Sequence, residues 1–256
     1  MKEEERIDRE LGRLPKRLKD SEDLKIWGRV LDVPTLKALY HLSNKKVILA
    51  MGGAVSTGKE AHVFHAIGSE GEVAVKIYRI ATSDFNTMQD YIIGDPRFKG
   101  ILKNKKDVVL AWAKKELRNL AVAHEAGVRV PVPIAVRRNI LVMEFIGKDG
   151  VRAPLLQEIA HEIDAQKEFD AVVDNMKLLY NKAKLVHADL SEYNILYHDG
   201  PMFIDMGQAV SREHPNAEAF FHRDVKNVVR FFKKLGVECS EEGVIARIKG
   251  GQNDSH

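Results

Sequence analysis

A single cysteine, Cys239, stands among 256 residues, which excludes an intramolecular disulfide and gives no basis for a thiolate metal cluster. No run of about 18 apolar residues is present to cross a bilayer as a helix. The opening Met1-Lys2-Glu3-Glu4-Glu5-Arg6 is charged where a secretory leader would need an apolar core, so a cytoplasmic chain with no membrane partner is expected. Charge of one sign is also scarce. Forty Lys and Arg against 37 Asp and Glu leave a formal +3, too even a balance to assign a nucleic-acid partner. The short clusters Lys103-Asn104-Lys105-Lys106, Arg137-Arg138 and Lys233-Lys234 read as well as solvated surface as they do as RNA contacts. Ten histidines occur, but no H-E-x-x-H, and zinc is not assigned. The remaining composition, 45% hydrophobic and 30% charged, suits one or two globular domains with ample core.

Against these absences stands one dense stretch. Val186-His187-Ala188-Asp189-Leu190-Ser191-Glu192-Tyr193-Asn194 sets an Asp and an Asn five residues apart, and Met202-Phe203-Ile204-Asp205-Met206-Gly207 follows closely. Phosphoryl transfer requires an aligned hydroxyl and cations on the phosphate oxygens, and a catalytic loop written H-R-D-L-x-x-x-N supplies both from one turn of chain. Asp189 takes the base position, Asn194 a metal position, and Asp205 the second metal position at the end of a short apolar strand. Taken singly, each reads equally as a turn residue. Their joint order points to chemistry on Mg-ATP.

Upstream, Val73-Ala74-Val75-Lys76 nearly repeats the V-A-I-K strand that aims a lysine at the α- and β-phosphates. Such a lysine needs a carboxylate partner, and Glu116 lies in a segment with helical apolar spacing, Ala111 to Leu120. Spacing leaves Glu72 and Glu125 as competitors. Ahead of Lys76, Met51 to Phe64 places a glycine-containing turn between two strand-like runs, so Val55, Ser56, Thr57, Gly58, Lys59 and Glu60 form an expected lid over phosphates. It lacks the G-x-G-x-x-G spacing. Gly53 to Lys59 also satisfies G-x-x-x-x-G-K, but Glu60 stands where a P-loop needs Ser or Thr, and strand-like sequence follows where it needs a helix.

Together, Ser56-Thr57-Gly58-Lys59-Glu60-Ala61, His187 to Asn194 and Ile204-Asp205-Met206-Gly207-Gln208-Ala209-Val210 resemble the RIO atypical serine/threonine protein kinases, in particular a minimal, archaeal-like form of the Rio-one branch. The resemblance runs over nearly the whole chain. It implies an α+β, bilobal protein-kinase-like fold, with an antiparallel N-lobe sheet and a mainly helical, truncated C-lobe without an activation segment. Only 51 residues follow Asp205 in the chain of 256, and no A-P-E motif lies among them. The resemblance further implies ATP and Mg²⁺ as cofactors, with Mn²⁺ as an alternative cation, and phosphorylation of serine on the chain itself or on a protein substrate. It also implies ATP hydrolysis, an aspartyl-phosphate at Asp205, and a partner in the maturing small ribosomal subunit. His187 would orient backbone, and Asp224 would anchor the catalytic loop from below.

Read along the chain, residues 1–45 are an N-terminal helical extension cut by Pro15 and Pro34, and 46–142 the N-lobe, with a mobile insertion at 81–107. Thr82, Ser83 and Thr87 in that insertion are candidate autophosphorylation sites. Ile134 to Ile146 holds an apolar strand that ends in Val142 to Gly147, with a hinge at 143–147 where the Glu144 carbonyl and Ile146 N–H would meet adenine with Met143 behind. The C-lobe is 148–250, with helical segments from Leu155 to Lys184 and an amphipathic helix starting near Asp224. Residues 251–256 are expected to be disordered.

Two departures from ordinary kinases affect the expected mechanism. Ala188 replaces the loop arginine, so a phosphorylated activation loop would have no guanidinium here to order it and control is expected from elsewhere, and Ser191 replaces a lysine that would offset γ-phosphate charge. Slow turnover is expected. The alternatives are a small-molecule phosphotransferase of the same fold, which usually carries a larger C-lobe, and a P-loop NTPase.

Overall fold

The structure is a computed structural model that describes residues 32–80, 85–93, 95 and 104–250. It divides into two compact units. The first lies within Met1–Asn86, Leu102–Leu117 and Pro133–Arg152, and the second within Thr87–Ile101, Arg118–Val132 and Ala153–His256. Most of the expected N-terminal extension, about half of the insertion, including Thr82 and Ser83, the side chain of Thr87 and the tail at 251–256 lie outside the described residues.

In the first unit, helix α1 (Val33–Asn44) opens with the Asp32 carboxylate accepting from the Thr35 amide at 2.8 Å and with Pro34 in its first turn, where a missing N–H costs nothing. Strands β1 (Ala50–Thr57), β2 (Ala61–Gly68), β3 (Gly71–Tyr78), β4 (Pro133–Arg137) and β5 (Ile140–Glu144) form an antiparallel sheet in the order β1-β2-β3-β5-β4. Alternation sorts the two faces. Phe64, Ala66, Val73, Val75, Ile77, Ile140 and Val142 turn to one face and pack with Ala38 and Leu42 of α1. At roughly 1.5–3 kcal/mol for each large apolar side chain, this core makes α1 part of the unit's foundation rather than an appendage. The expected strand within 134–146 is β5, and it forms a hairpin with β4 because Arg138 (φ 57°) and Asn139 turn the chain between them. Buried Asn139 donates to the Tyr78 carbonyl at 2.8 Å and accepts from the Thr35 hydroxyl, tying the turn to β3 and α1.

A short helix α2 (Phe85–Ile92) lies in the segment expected to be an insertion. Helix α3 (Lys105–Glu125) is longer at both ends than the periodicity over 111–120 suggested. Its first amides are capped by Asn104, whose side chain accepts from the Asp107 N–H at 3.0 Å. The unit division falls within α3, so Glu116 belongs to the first unit and Asn119 to the second.

After β5, the two-residue strands β6 (Gly147–Lys148) and β7 (Val151–Arg152) close a tight hairpin. At Gly147 (φ 157°) a Cβ would come 2.2 Å from the Val151 carbonyl, so only glycine fits. The second unit holds helices α4 (Ala165–Asn181), α5 (Ala217–Lys234) and α6 (Glu241–Lys249). Its two short ladders pair β8 (Leu185–Val186) with β11 (Val210–Ser211) and β9 (Ile195–Tyr197) with β10 (Pro201–Phe203). Leu155 makes a lone bridge to Leu196 and residues 156–162 are turns, not helix, so that α4 starts only at the Asp164 cap. Helix α5 begins seven residues before Asp224, which is therefore a buried mid-helix group and not an N-terminal charge. Among the described residues no helix is long and apolar enough to cross a membrane.

Candidate active site

The first unit gathers its candidate residues on the sheet face opposite the α1 core. Register pairs Ser56 with Val63, Val63 with Lys76 and Lys76 with Leu141, and residues directly opposite share a face. Ser56 of the expected lid thus stands two strands, about 10 Å, from Lys76 on the same side of the sheet. Met143, opposite Ala74, shares that face as well. Val55, Ser56 and Thr57 end β1, and Gly58, Lys59 and Glu60 make the turn, closed by the Gly58 amide donating to the Ala61 carbonyl at 2.9 Å. Ala61 then enters a strand. The P-loop alternative is excluded, since its phosphate cradle needs a helix N-terminus at that point.

Lys76 Nζ donates to both oxygens of Glu116, at 2.8 and 2.9 Å, with Lys76 nearly and Glu116 fully buried. Neither competitor takes this place. Glu72 lies four residues back along the strand, about 13 Å away, and accepts instead from His65 and from the amides of Asp149 and Gly150. Glu125 lies nine residues further along the helix, also about 13 Å from Glu116. His65 is buried edge-on to Phe145 at 4.9 Å, and its Nδ1 would meet a Cβ on Gly52 at 2.7 Å, which accounts for glycine at the base of β1.

In the second unit the candidates sit on irregular backbone. Ala188 (φ 66°) and Asp205 (φ 63°) both occupy the left-handed region, which costs an L-residue roughly 1–2 kcal/mol. Hydrogen bonds hold them there. Asp224 accepts from the amides of Ala188 at 2.8 Å and Leu190 at 2.9 Å, and Asn227 donates to the Leu190 carbonyl. His187 Nε2 bonds the Ile204 carbonyl at 3.0 Å, while the Ile204 amide donates to the Asn194 carbonyl at 3.0 Å. The residue before Asp205 is thereby pinned on both sides to the loop that carries Asp189 and Asn194. Asn194 Nδ2 donates to the Asp189 backbone carbonyl at 2.7 Å and to its carboxylate at 3.1 Å.

Asn119 is a residue that motif reading missed. Fully buried, it donates to the carbonyls of Met206 and Ala209, each at 2.8 Å, and fixes the turn after Asp205. Its signal was faint: a polar side chain one turn beyond Glu116 on an otherwise apolar helix face.

Burial and the neighbouring Asp205 charge push the Asp189 carboxyl above the ordinary range, while the Asn194 amide and Arg223 draw it back. Burial forces the His187 imidazole down to about 4, so it is neutral near pH 7 and orients backbone rather than acting as a base. Burial likewise raises Asp224 to about 7 against its two amide partners. Among the described residues, no group of three or more His, Cys, Asp or Glu could hold a metal ion. What is present is two carboxylates, Asp205 raising Asp189 electrostatically, with an amide whose N–H groups are spent on Asp189. The Asn194 Oδ1 oxygen is the atom of that amide that could face a cation. That all-oxygen set fits a hard divalent cation such as Mg²⁺, whose charge would offset the repulsion.

The comparisons with known proteins show the family and the fold. The family model described as RIO domain matches residues 62–244. The RIO-type serine/threonine-protein kinase Rio1 of Haloferax volcanii is 47% identical over 97% of this chain and 86% of its own length. The serine/threonine-protein kinase RIO1 of Caenorhabditis elegans is 42% identical over 91% of this chain, which spans about half (47%) of that longer protein. A solved Rio2 kinase from Chaetomium thermophilum shares the fold, with a TM-score of 0.65 and 24% identity over 87% of this chain and 69% of that one. The chain belongs to the RIO family of atypical kinases, on its Rio1 branch, and is an enzyme of the kinase class.

Proposed function

We propose that this chain transfers the γ-phosphoryl group of Mg-ATP to Ser or Thr hydroxyls, on itself or on another protein. The observation that carries the reading is the Asn194 amide locked onto Asp189, with Asp205 tethered to the same loop through Ile204. Asp189 accepts the proton of the attacking hydroxyl. Asn194 and Asp205 hold the divalent cation, which when bound neutralises charge on the phosphate oxygens. Lys76, held by Glu116, meets the α- and β-phosphates, and Val55 to Glu60 cover them. The Glu144 carbonyl and Ile146 amide take adenine, with Met143 behind.

ATP hydrolysis through an acyl phosphate on Asp205 is the second part of the proposal. A Rio2 kinase of the same fold has been crystallised as an ADP/Mg²⁺-phosphoaspartate complex. The maturing small ribosomal subunit is the proposed setting, in the cytoplasm, on the strength of the family.

The test is incubation with γ-labelled ATP and Mg²⁺, followed by hydroxylamine. Stable label on serine or threonine supports protein phosphorylation, and hydroxylamine-labile label supports the Asp205 cycle. Label found only on aminoglycosides or sugars, never on protein, overturns the reading in favour of a small-molecule phosphotransferase.

A further inference from the structure

The loop arginine that Ala188 displaces is matched by a guanidinium from elsewhere in the fold. Arg223, on α5, donates to the Ala188 carbonyl, while its neighbour Asp224 accepts the Ala188 amide at 2.8 Å. One dipeptide therefore grips both polar groups of a residue in the left-handed region, immediately before Asp189. The guanidinium is itself fixed. It lies over the Phe220 ring at 5.0 Å and donates to the Tyr91 hydroxyl of α2 at 3.3 Å, and the Tyr91 and Phe220 rings stack at 5.1 Å. His214 adds a second tie, stacking on Phe220 at 5.8 Å and bonding the Ile93 carbonyl just beyond α2 at 3.0 Å.

A planar guanidinium with several donors suits this junction, because it can stack on a ring and serve two acceptors at once, which an ammonium cannot. Helix α5 holds Asp224 rigidly by burial, but Arg223 is solvent-exposed, so packing alone does not explain it. Its contacts run to the catalytic loop and to α2.

We propose that Arg223 is a positioning residue for phosphoryl transfer, holding the Ala188 carbonyl so that Asp189 presents its carboxylate to the hydroxyl, with Tyr91 and Phe220 holding Arg223 in turn. This rests on Asp189 being the reacting carboxylate of the site proposed above. Because the clamp acts on the base and not on nucleotide, its loss falls on kcat and spares ATP binding. Misplacement of a reacting group by about 1 Å costs on the order of 100-fold.

The test uses the full chain with casein, γ-labelled ATP and Mg²⁺. Arg223→Ala is expected to lower kcat about 10- to 100-fold, leave the Kd for Mg-ATP by calorimetry within about twofold, and keep its melting temperature. Guanidinium at low, non-denaturing concentration should restore several-fold of the lost rate, and Arg223→Lys should fall between. A kcat for Arg223→Ala within twofold of wild type, or a loss of Mg-ATP affinity equal to the loss of rate, overturns the inference. Should that variant unfold, Tyr91→Phe decides: a two- to threefold fall in kcat with unchanged melting temperature supports the clamp, and an unchanged kcat removes it. Asp189→Ala in parallel separates the two layers. If it stays active, the reading of the site fails. If it is dead while Arg223→Ala runs at wild-type rate, only the clamp fails.

Discussion

Lys76 and Asp189 are placed by opposite means. In the first unit, Lys76 and Glu116 sit on a regular strand and a regular helix, and the pair forms because alternation and helical phase aim both side chains at one point. In the second unit, Asp189 and Asp205 sit on loops that contain left-handed residues, and tertiary hydrogen bonds from His187, Asp224, Arg223 and Asn119 shape that backbone. In the proposed roles, a group that binds phosphate tolerates placement by secondary structure, since Coulombic attraction is long-ranged. Proton transfer and metal ligation need atoms at bonding distance, and irregular backbone is how several functional groups are delivered from one short loop.

The largest effects are expected at the loop carboxylates. Asp189→Ala should cut transfer to hydroxyls by about 10²–10⁴, or ~3–5 kcal/mol of barrier. Asp205→Ala should abolish both transfer and ATP hydrolysis. An Asp205→Ala protein that still turns over ATP at the wild-type rate would remove that carboxylate from the mechanism.

Next in size is the ion pair of the first unit. Glu116→Ala takes away the carboxylate that compensates a buried ammonium, and should cost ~3–5 kcal/mol in urea unfolding. The Lys76→Met/Glu116→Leu double variant, which removes both charges, should cost far less. Equal costs would mean that packing, not charge, governs the site.

The second unit carries a pH signature. His187 is depressed from 6.5 to about 4, so its contribution to stability is complete above pH 6.5 and is lost as pH falls towards about 4, where the unfolded chain binds the extra proton. Asp224 is raised from 3.8 to about 7, so the folded chain binds the extra proton in that window and gains stability as pH falls. The two oppose each other between about pH 4 and 6.5. Asp224→Asn removes the opposing one, and the variant should lose ~3 kcal/mol more over that range than Asp224→Asn/His187→Gln, at 1.36 kcal/mol per pH unit. Parallel denaturation curves for the two proteins would show that His187 does not titrate as its burial implies.

The smallest effect sharpens the contrast in backbone. Ala188→Gly relieves a left-handed alanine but frees the unfolded chain, so stability should change by no more than about 1 kcal/mol. The rate should fall several-fold as the loop loses its fixed shape. A rate equal to wild type would show that the tertiary hydrogen bonds alone define the loop.

Legibility followed the same division. Lys76 was readable because a lysine ending an apolar alternation is rare. Glu116 needed the structure to separate it from Glu72 and Glu125, since sequence distance says nothing about which carboxylate a fold brings near. Asp189, Asn194 and Asp205 stood out by order and spacing. Their supports did not: Asn119 looks like an ordinary helix polar residue, and Arg223 like surface charge. The start of α5 was hidden because Asn216 provides no side-chain cap and the first turn mixes Glu218 with Phe220 and Phe221. The β4–β5 turn was missed because it uses Arg138-Asn139 with no glycine or proline.

By itself the sequence determined the family, the antiparallel sheet with its apolar alternation, and the identity of the chemical groups, because local periodicity and a spaced set of rare residues survive without any three-dimensional information. The tertiary structure alone decided which carboxylate holds Lys76 and how Ala188 and Asp205 are kept in left-handed backbone. It also decided that a guanidinium from α5 serves a loop whose own arginine is missing. Those outcomes depend on contacts between residues as many as 132 positions apart, as Tyr91 and Arg223 are, and no local pattern encodes them.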